Sequence, residues 1–389
     1  MSFNTPPQNL ATALFLTVFL TACGGGGGSD SGSDTVKSEI KPPTATSNKQ
    51  PKPSNSNDEQ AALNANNEFS LARTSCGLSG LSVDSALDSI AIQHARYIKY
   101  AFANSSPTVF NAHYENKIEN IAHVTGDNNP YFGGFSFSDR LLNANYLNAK
   151  YGAAENIAQS IYYSSAGNLV SSDVVAGLMA KSLLAAPYHL RSLMIPSSSL
   201  TGTGMVTYKP HGSDTANNQG YVLVNHASAT KATKDRTVAG VFTYPCQGVT
   251  GTVTALYNET PDPVKHTGRD LRLNPIGQPI YVNVPSAKTI SISNVKFHDT
   301  QRNIDVPIEL LDYRQDPYKN TPNALPANEA FILPITDNLK SCNIKRNNNQ
   351  SQQCGLYGNT KYQVSFDVLV DNQRLEQQSF AFTTGKVNY

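Results

Sequence analysis

Four short strings place histidines and carboxylates close together in the chain: Ala112-His113-Tyr114-Glu115; Phe132-Gly133-Gly134-Phe135 leading to Asp139-Arg140; Ala154-Glu155-Asn156-Ile157-Ala158; and Ala186-Pro187-Tyr188-His189-Leu190-Arg191. Imidazole and carboxylate are the usual groups of proton transfer and metal ligation. His113 and Glu115, two apart, would share one face of an extended segment. Glu155 and His189 lie far from that pair, and only a fold could gather them. The chain has no nucleophile elbow, no phosphate loop and no HExxH, so serine or cysteine nucleophiles are not indicated. Asp139-Arg140 reads as a helix-start ion pair. His94 reads as a hydrogen-bonded core residue. His123, His211, His226, His266 and His298 have no partner in any recognisable pattern.

The elements that must position these groups fall into two sets. Leu87, Ile90, Ala91, His94, Ile98 and Ala101 recur at helical spacing, with Asp84 or Ser85 as cap. Asp139 to Tyr146 reads as a helix capped by Ser138. Val174, Val175, Leu178, Met179 and Leu183 form another, capped near Ser171 or Ser172 and broken at Pro187. A short helix carrying Arg191 to Met194 follows. Gly220 to His226 and Val238 to Tyr244 read as strands. Helices followed by strands predict an α+β domain over residues 61–247.

Thr260-Pro261-Asp262-Pro263 then punctuates the chain, and the period changes to two. Tyr362, Val364, Phe366, Val368 and Val370 alternate with polar residues, an Asp371-Asn372 turn follows, and Phe380 and Phe382 alternate again. Shorter strands are expected at Pro279 to Val284, Thr289 to Phe297, Val306 to Leu311 and Ala330 to Leu333. Together they predict a β-sandwich of immunoglobulin-like style over 255–389.

Composition sets the outer limits. The 389 residues carry a net charge of +1, with 15% charged residues, so a strongly basic nucleic-acid binder is not indicated. Tryptophan is absent, and 19 Tyr with 15 Phe must build the cores. The run Ala11 to Leu20 is too short to span a bilayer but fits the core of an export signal. Leu20-Thr21-Ala22-Cys23 after it resembles the lipobox of bacterial lipoproteins, which implies a signal peptide over 1–23 and lipid on Cys23. Gly24 after the cysteine implies the outer membrane, if the cell envelope has one. Residues 24–60 are rich in Gly, Ser and Pro and read as a flexible tether. An oxidising compartment favours disulfides among the remaining Cys76, Cys246, Cys342 and Cys354. Four cysteines allow three patterns; the pairing expected is Cys76–Cys246, tying the ends of the first domain, and Cys342–Cys354, closing a polar loop at 347–350.

The order and spacing of the strings resemble the CAP superfamily (cysteine-rich secretory proteins, antigen 5, pathogenesis-related 1) in its bacterial secreted form. The residues that carry the resemblance are Arg73-Thr74-Ser75-Cys76-Gly77-Leu78, His94-Ala95, His113, Ala154-Glu155-Asn156-Ile157-Ala158, Ala186-Pro187-Tyr188-His189 and Gly202-Thr203-Gly204. Ala154 stands where the family has Gly, Leu183 where a Trp is usual, and Leu190 separates His189 from Arg191. The resemblance implies an α-β-α sandwich and a central cleft holding two histidines and two acidic residues, here His113, Glu115, Glu155 and His189. It also implies a divalent cofactor, zinc foremost, on the two histidines.

The function expected is that of a lipid-anchored cell-envelope protein. Its cleft would bind a small-molecule, lipid or protein ligand, with no nucleic-acid partner. One alternative is a metal-dependent, peptidase-like hydrolase with Glu115 or Glu155 as general base. Another is an inert scaffold whose β-sandwich acts in adhesion.

Overall fold

The computed structural model describes residues 17–23 as backbone, and 56–164, 169–213, 217–230, 240–321, 323–339 and 354–386. The first part of the expected export signal, most of the tether, and Cys342 with its polar loop lie outside the described residues.

The first unit comprises, in chain order, β1 (Thr17–Cys23), α1 (Ser56–Ser75), β2 (Ser82–Val83), α2 (Ser85–Asn104), α3 (Phe137–Asn143), β3 (Ala153–Tyr163), α4 (Ser172–Leu183), α5 (Pro187–Leu193), β4 (Leu200–Tyr208) and β5 (Asn218–Ser228). Its sheet runs β1-β3-β5-β4-β2, with β3 and β4 each antiparallel to the β5 between them. Alternation along the strands puts side chains on both faces. Ala158, Tyr162, Met205, Tyr221 and Leu223 pack against the Ala61, Ala65 and Phe69 stripe of α1 and against Val175 and Met179 of α4. Ile157, Val206, Val222 and Val224 face Ala91, Ala95 and Ile98 of α2 on the other side. Helices cover both faces, which gives the expected three-layer α-β-α arrangement.

Local chemistry explains the element ends. Asp84 accepts from the backbone N–H groups of Ala86 and Leu87, both at 3.0 Å, and starts α2. The helix expected at Asp139 to Tyr146 instead spans Phe137–Asn143. Its cap is Ser136 rather than Ser138, because Ser136 and Asp139 form a reciprocal capping box. α1 begins at Ser56, inside the stretch expected to be tether, because Ala61, Ala65, Phe69 and Ala72 give it an apolar stripe to bury. β3 was not expected as a strand, since it is buried on both faces and lacks polar alternation. β1 overlaps the stretch assigned to the export signal and pairs with the outer edge of β3.

The second unit comprises β6 (Phe242–Tyr244), β7 (Thr250–Thr252), β8 (Ile280–Asn283), β9 (Ile290–Asp299), β10 (Ile304–Asp305), β11 (Ile308–Asp312), β12 (Glu329–Pro334), β13 (Lys361–Val370) and β14 (Arg374–Thr384). Two sheets, β10-β9-β13-β14-β7 and β11-β12-β8-β6, enclose a core of Ile280, Val282, Phe297, Ile332, Val364, Phe366, Phe380 and Phe382. The β13–β14 hairpin turns through Asp371 and Asn372, both at positive φ, as a tight hairpin connection of this hand requires. The strand expected at Val238 to Tyr244 is correct over Phe242–Tyr244, but it pairs with β8 and so belongs to this unit's sheet. Cys76 at the end of α1 is bonded to Cys246 just after β6. Cys354 is disulfide-bonded, and its expected partner Cys342 lies outside the described residues.

The two units share one apolar core. Leu190 and Leu193 of α5 lie in the same buried cluster as Leu256, Val264, Tyr281, Leu311, Phe331 and Leu333 of the second unit. Among the described residues no helix is long and apolar enough to cross a membrane.

Candidate functional site

Glu155 on β3 is the hub. Its Oε1 accepts from His113 Nδ1 at 2.8 Å, its Oε2 accepts from His226 Nε2 at 3.0 Å, and Arg140 Nη2 donates to both oxygens at 2.8 Å. The carboxylate is fully buried, and burial alone would raise its proton affinity; the Arg140 guanidinium and the surrounding imidazoles outweigh that and hold it well below the usual carboxylate range. Arg140 comes from α3, one residue after the capping Asp139. It also donates to the carbonyl of His113 at 3.2 Å, so it fixes both the carboxylate and the loop that carries the histidine.

Glu115 sits beside this hub with a different set of partners. Its Oε1 accepts from His94 Nδ1 at 2.7 Å, with an Arg140 guanidinium nitrogen at 3.8 Å. Its Oε2 accepts from the backbone N–H of Gly133 at 2.6 Å and of Gly134 at 3.2 Å. Gly134 has φ +151°, and a Cβ there would lie 2.9 Å from the backbone of Arg140, so only glycine fits. His94 Nε2 in turn lies 2.7 Å from the carbonyl oxygen of Ala112. His94 is thus the hydrogen-bonded core histidine the sequence indicated, and it ties α2 to the 112–115 segment.

His189 is reached from the opposite face of β3. Glu155 and Asn156 are consecutive on the strand, so their side chains project to opposite sides. Asn156 Oδ1 accepts from His189 Nδ1 at 3.2 Å and from Ser192 Oγ at 2.5 Å, while its amide donates to Asn225 Oδ1 at 3.2 Å. With Nδ1–H donating, the network assigns His189 Nε2 as the lone-pair nitrogen, and it is buried without a partner among the described residues. Burial, assisted by His113 nearby, keeps the ring neutral well below the ordinary histidine range. The outer edge of β3 here is covered by β1, with Cys23 opposite Glu155 and Ala22 opposite Asn156.

The second unit holds α5 in place. Glu259 Oε1 accepts from the backbone N–H of Tyr188 at 2.8 Å and of His189 at 3.2 Å. Tyr188 donates its hydroxyl to Asp316 at 2.7 Å, and Arg191 Nε donates to Glu329 at 2.6 Å. From the other side, Arg73 of α1 donates to the carbonyls of Leu193, Ile195 and Ser198 at 2.7 to 2.9 Å. Arg73 is fully buried, and desolvation pulls its guanidinium down to about 10.

The structure therefore joins His113 to Glu155 and sets His189 near His113, but it gives Glu115 to His94 and His189 to Asn156. Arg140 is a site residue rather than a simple helix-start ion pair. His226 has a partner after all, Glu155. Ser192 and Glu259 carry no signal in the sequence, and Arg140, His226 and Asn156 were given no site role, because each is one polar residue in an otherwise ordinary element. Only the cross-strand register, which sets Glu155 opposite His226 on β5, could have flagged one of them.

As a donor for a divalent cation His189 fits, through its unpartnered Nε2, and the carboxylates do not. Every oxygen of Glu115 and Glu155 already accepts from protein donors. Among the described residues no three His, Cys, Asp or Glu side chains form a metal-holding group. A set of two histidines and one carboxylate as direct ligands is thus not what this geometry offers.

The sequence profile of the cysteine-rich secretory protein (CAP) family matches residues 63–225, which span the three-layer unit from α1 to β5. No curated protein matches the chain. By this match and by its three-layer fold, the chain's region 63–225 belongs to the cysteine-rich secretory protein (CAP) family.

Proposed function

We propose that the chain is an exported, lipid-anchored protein of the cell envelope whose CAP unit binds a ligand in the cleft around His113 and His189. The two imidazoles would hold a divalent cation, zinc foremost. The observation that carries this is His189: a buried, neutral ring whose Nε2 lone pair has no partner among the described residues, with His113 near enough to lower its proton affinity further. A neutral imidazole with its other nitrogen donating to an oxygen is the form that ligates metal. Bound zinc would supply Lewis-acid polarisation of a ligand oxygen. The chain's own residues orient the rings, since Glu155 fixes His113 and Asn156 fixes His189.

Binding is favoured over hydrolysis by the carboxylates. A general base needs an oxygen free to take a proton. Glu155 is held ionised by three hydrogen-bonding side chains, Arg140, His113 and His226, and Glu115 is held by His94 and two backbone N–H groups. The export reading rests on the Leu20-Thr21-Ala22-Cys23 string. Processing before Cys23 would remove most of β1 and bare the β3 edge at Glu155 and Asn156, which opens the cleft to a ligand. The second unit, immunoglobulin-like in style, would serve as the support that fixes α5.

The test is metal content by elemental mass spectrometry after zinc loading and desalting. About one zinc per chain, lost in His113→Ala/His189→Ala, is the expected result. No retained zinc in the unaltered protein would remove the metal from the proposal.

A further inference from the structure

A cavity of about 360 Å³ lies outside the CAP unit, lined by Glu259, Asp262, Arg269, Asp270, Leu271 and Arg272 among others. That volume is at the small end of ligand sites. Two of its lining side chains carry buried polar atoms without partners among the described residues: Glu259 Oε2 and Arg269 Nε. Glu259 is 2% exposed. Its Oε1 is committed to the backbone of Tyr188 and His189, and its Oε2 has no partner among the described residues; burial raises the carboxyl's proton affinity well above the ordinary carboxylate range, a cost that an entering ammonium would offset. Arg269 is anchored from behind, with Nη1 and Nη2 donating to the two carboxylate oxygens of Asp337 at 2.8 and 2.6 Å and Nη1 also to the Asn274 carbonyl at 2.8 Å. Its Nε–H is the donor left over. Unpaired buried polar atoms are costly, so two of opposite character in one cavity point to a ligand that supplies both partners.

The rest of the wall agrees. Asp262 and Asp270 add negative charge, while their Oδ1 atoms only accept backbone N–H groups at Val264 and Arg272. The Arg272 guanidinium is exposed and adds a second positive group. Three carboxylates alone could suggest a metal, but no metal-holding group of acidic or histidine side chains exists among the described residues.

We propose that this cavity binds a small zwitterion, a free amino acid or a molecule of that class, with its ammonium on Glu259 Oε2 and its carboxylate on Arg269 Nε. The binding proposed needs no metal at the histidines, although Glu259 also holds the α5 backbone at His189.

The experiment is isothermal titration of the full chain with glycine, L-alanine, L-glutamate and L-lysine. Two half-ligands run beside each: the ethyl ester, which keeps the ammonium, and the N-acetyl derivative, which keeps the carboxylate. The expected result is one-to-one binding of at least one amino acid, with both of its half-ligands about tenfold or more weaker. Glu259→Gln and Arg269→Lys should each weaken it about tenfold or more as well. Glu259→Gln keeps an oxygen for the α5 backbone, and thermal melting checks that each variant is folded. If a variant does not fold, the half-ligand comparison on the unaltered protein decides alone. Absence of binding by all four amino acids at millimolar concentration overturns the proposal. So does binding that the ester or acetyl group leaves unchanged.

Discussion

Arg140 and Glu155 are locked together inside the protein. One guanidinium nitrogen lies 2.8 Å from each carboxylate oxygen, and neither side chain exposes more than 2% of its surface. The pair links α3 to β3 across the His113 loop, so the position of His113 depends on it.

Glu155→Gln should therefore destabilise the fold by about 3–5 kcal/mol, because it leaves the buried Arg140 charge without its counter-ion. Arg140→Met should cost a comparable amount. The double variant should lose clearly less than the two single losses added together, since it removes both charges. Urea unfolding of the four proteins measures this. Additive losses would mean that the pair is not an energetic unit.

The metal-free protein should lose stability as pH falls below about 6.5. His189 has its folded-state proton affinity depressed by burial, and His226 is shifted the same way by burial. A group whose folded pKa lies below its unfolded value contributes stability above the unfolded value, and that contribution fades as pH falls towards the folded one. The unfolded chain takes up the proton near pH 6.5 and the folded chain does not. His189 alone should then give a slope of up to about 1.4 kcal/mol per pH unit. His189→Gln should flatten the curve between pH 6.5 and 5 when melting is followed with chelator present. An unchanged slope would mean the ring is not held neutral.

How much of this was legible depended on what kind of signal each residue gives. α2 was readable because its apolar stripe and Asp84 cap are local. β13 was readable because Tyr362 to Val370 alternates at period two. β3 was not, because a strand covered on both faces has no alternation to read. The pair His113 and Glu155 emerged only through the order of several strings, since 42 residues separate them. Arg140 was misjudged because Asp139 gave it an obvious local partner, and the capping box then took that aspartate away. Glu259 could not have been foreseen, because nothing in Asn258-Glu259-Thr260 signals that it reaches α5.

The Gly202-Thr203-Gly204 string has a packing cause that can be tested. A Cβ on Gly202 would lie 2.2 Å from the backbone of Leu87, and one on Gly204 would lie 2.5 Å from the backbone of Ile92. α2 therefore rests directly on β4, and His94 is set at the depth that lets it reach Glu115. Gly204→Ala should cost about 1–3 kcal/mol or more, because backbone rather than a flexible side chain must move. It should also lower zinc retention by displacing His94, and through Glu115 and Arg140 the His113 loop. Thermal melting and elemental analysis of this variant read both effects. Unchanged stability would mean that α2 and β4 are not in this close contact.

Removing residues 255–389 should unfold the CAP unit rather than leave it intact. The natural expectation for a two-unit chain is that each part folds alone. Here Leu190 and Leu193 of α5 are buried with Leu256, Val264, Leu311 and Phe331, and the helix start is held by Glu259. Without the second unit this apolar face meets water and the Tyr188 and His189 N–H groups lose their acceptor. A fragment ending at residue 254 should show no cooperative melt and rapid proteolysis, whereas the full chain resists. Loss of ligand binding on such a deletion would then say nothing about adhesion by the sandwich. The discriminating variants are His189→Gln, which alters the histidine site while leaving the sandwich core in place, and a charge reversal on an exposed strand residue such as Lys296, which leaves α5 untouched. Binding lost in the first and kept in the second places it at the histidines; the opposite pattern places it on the sandwich.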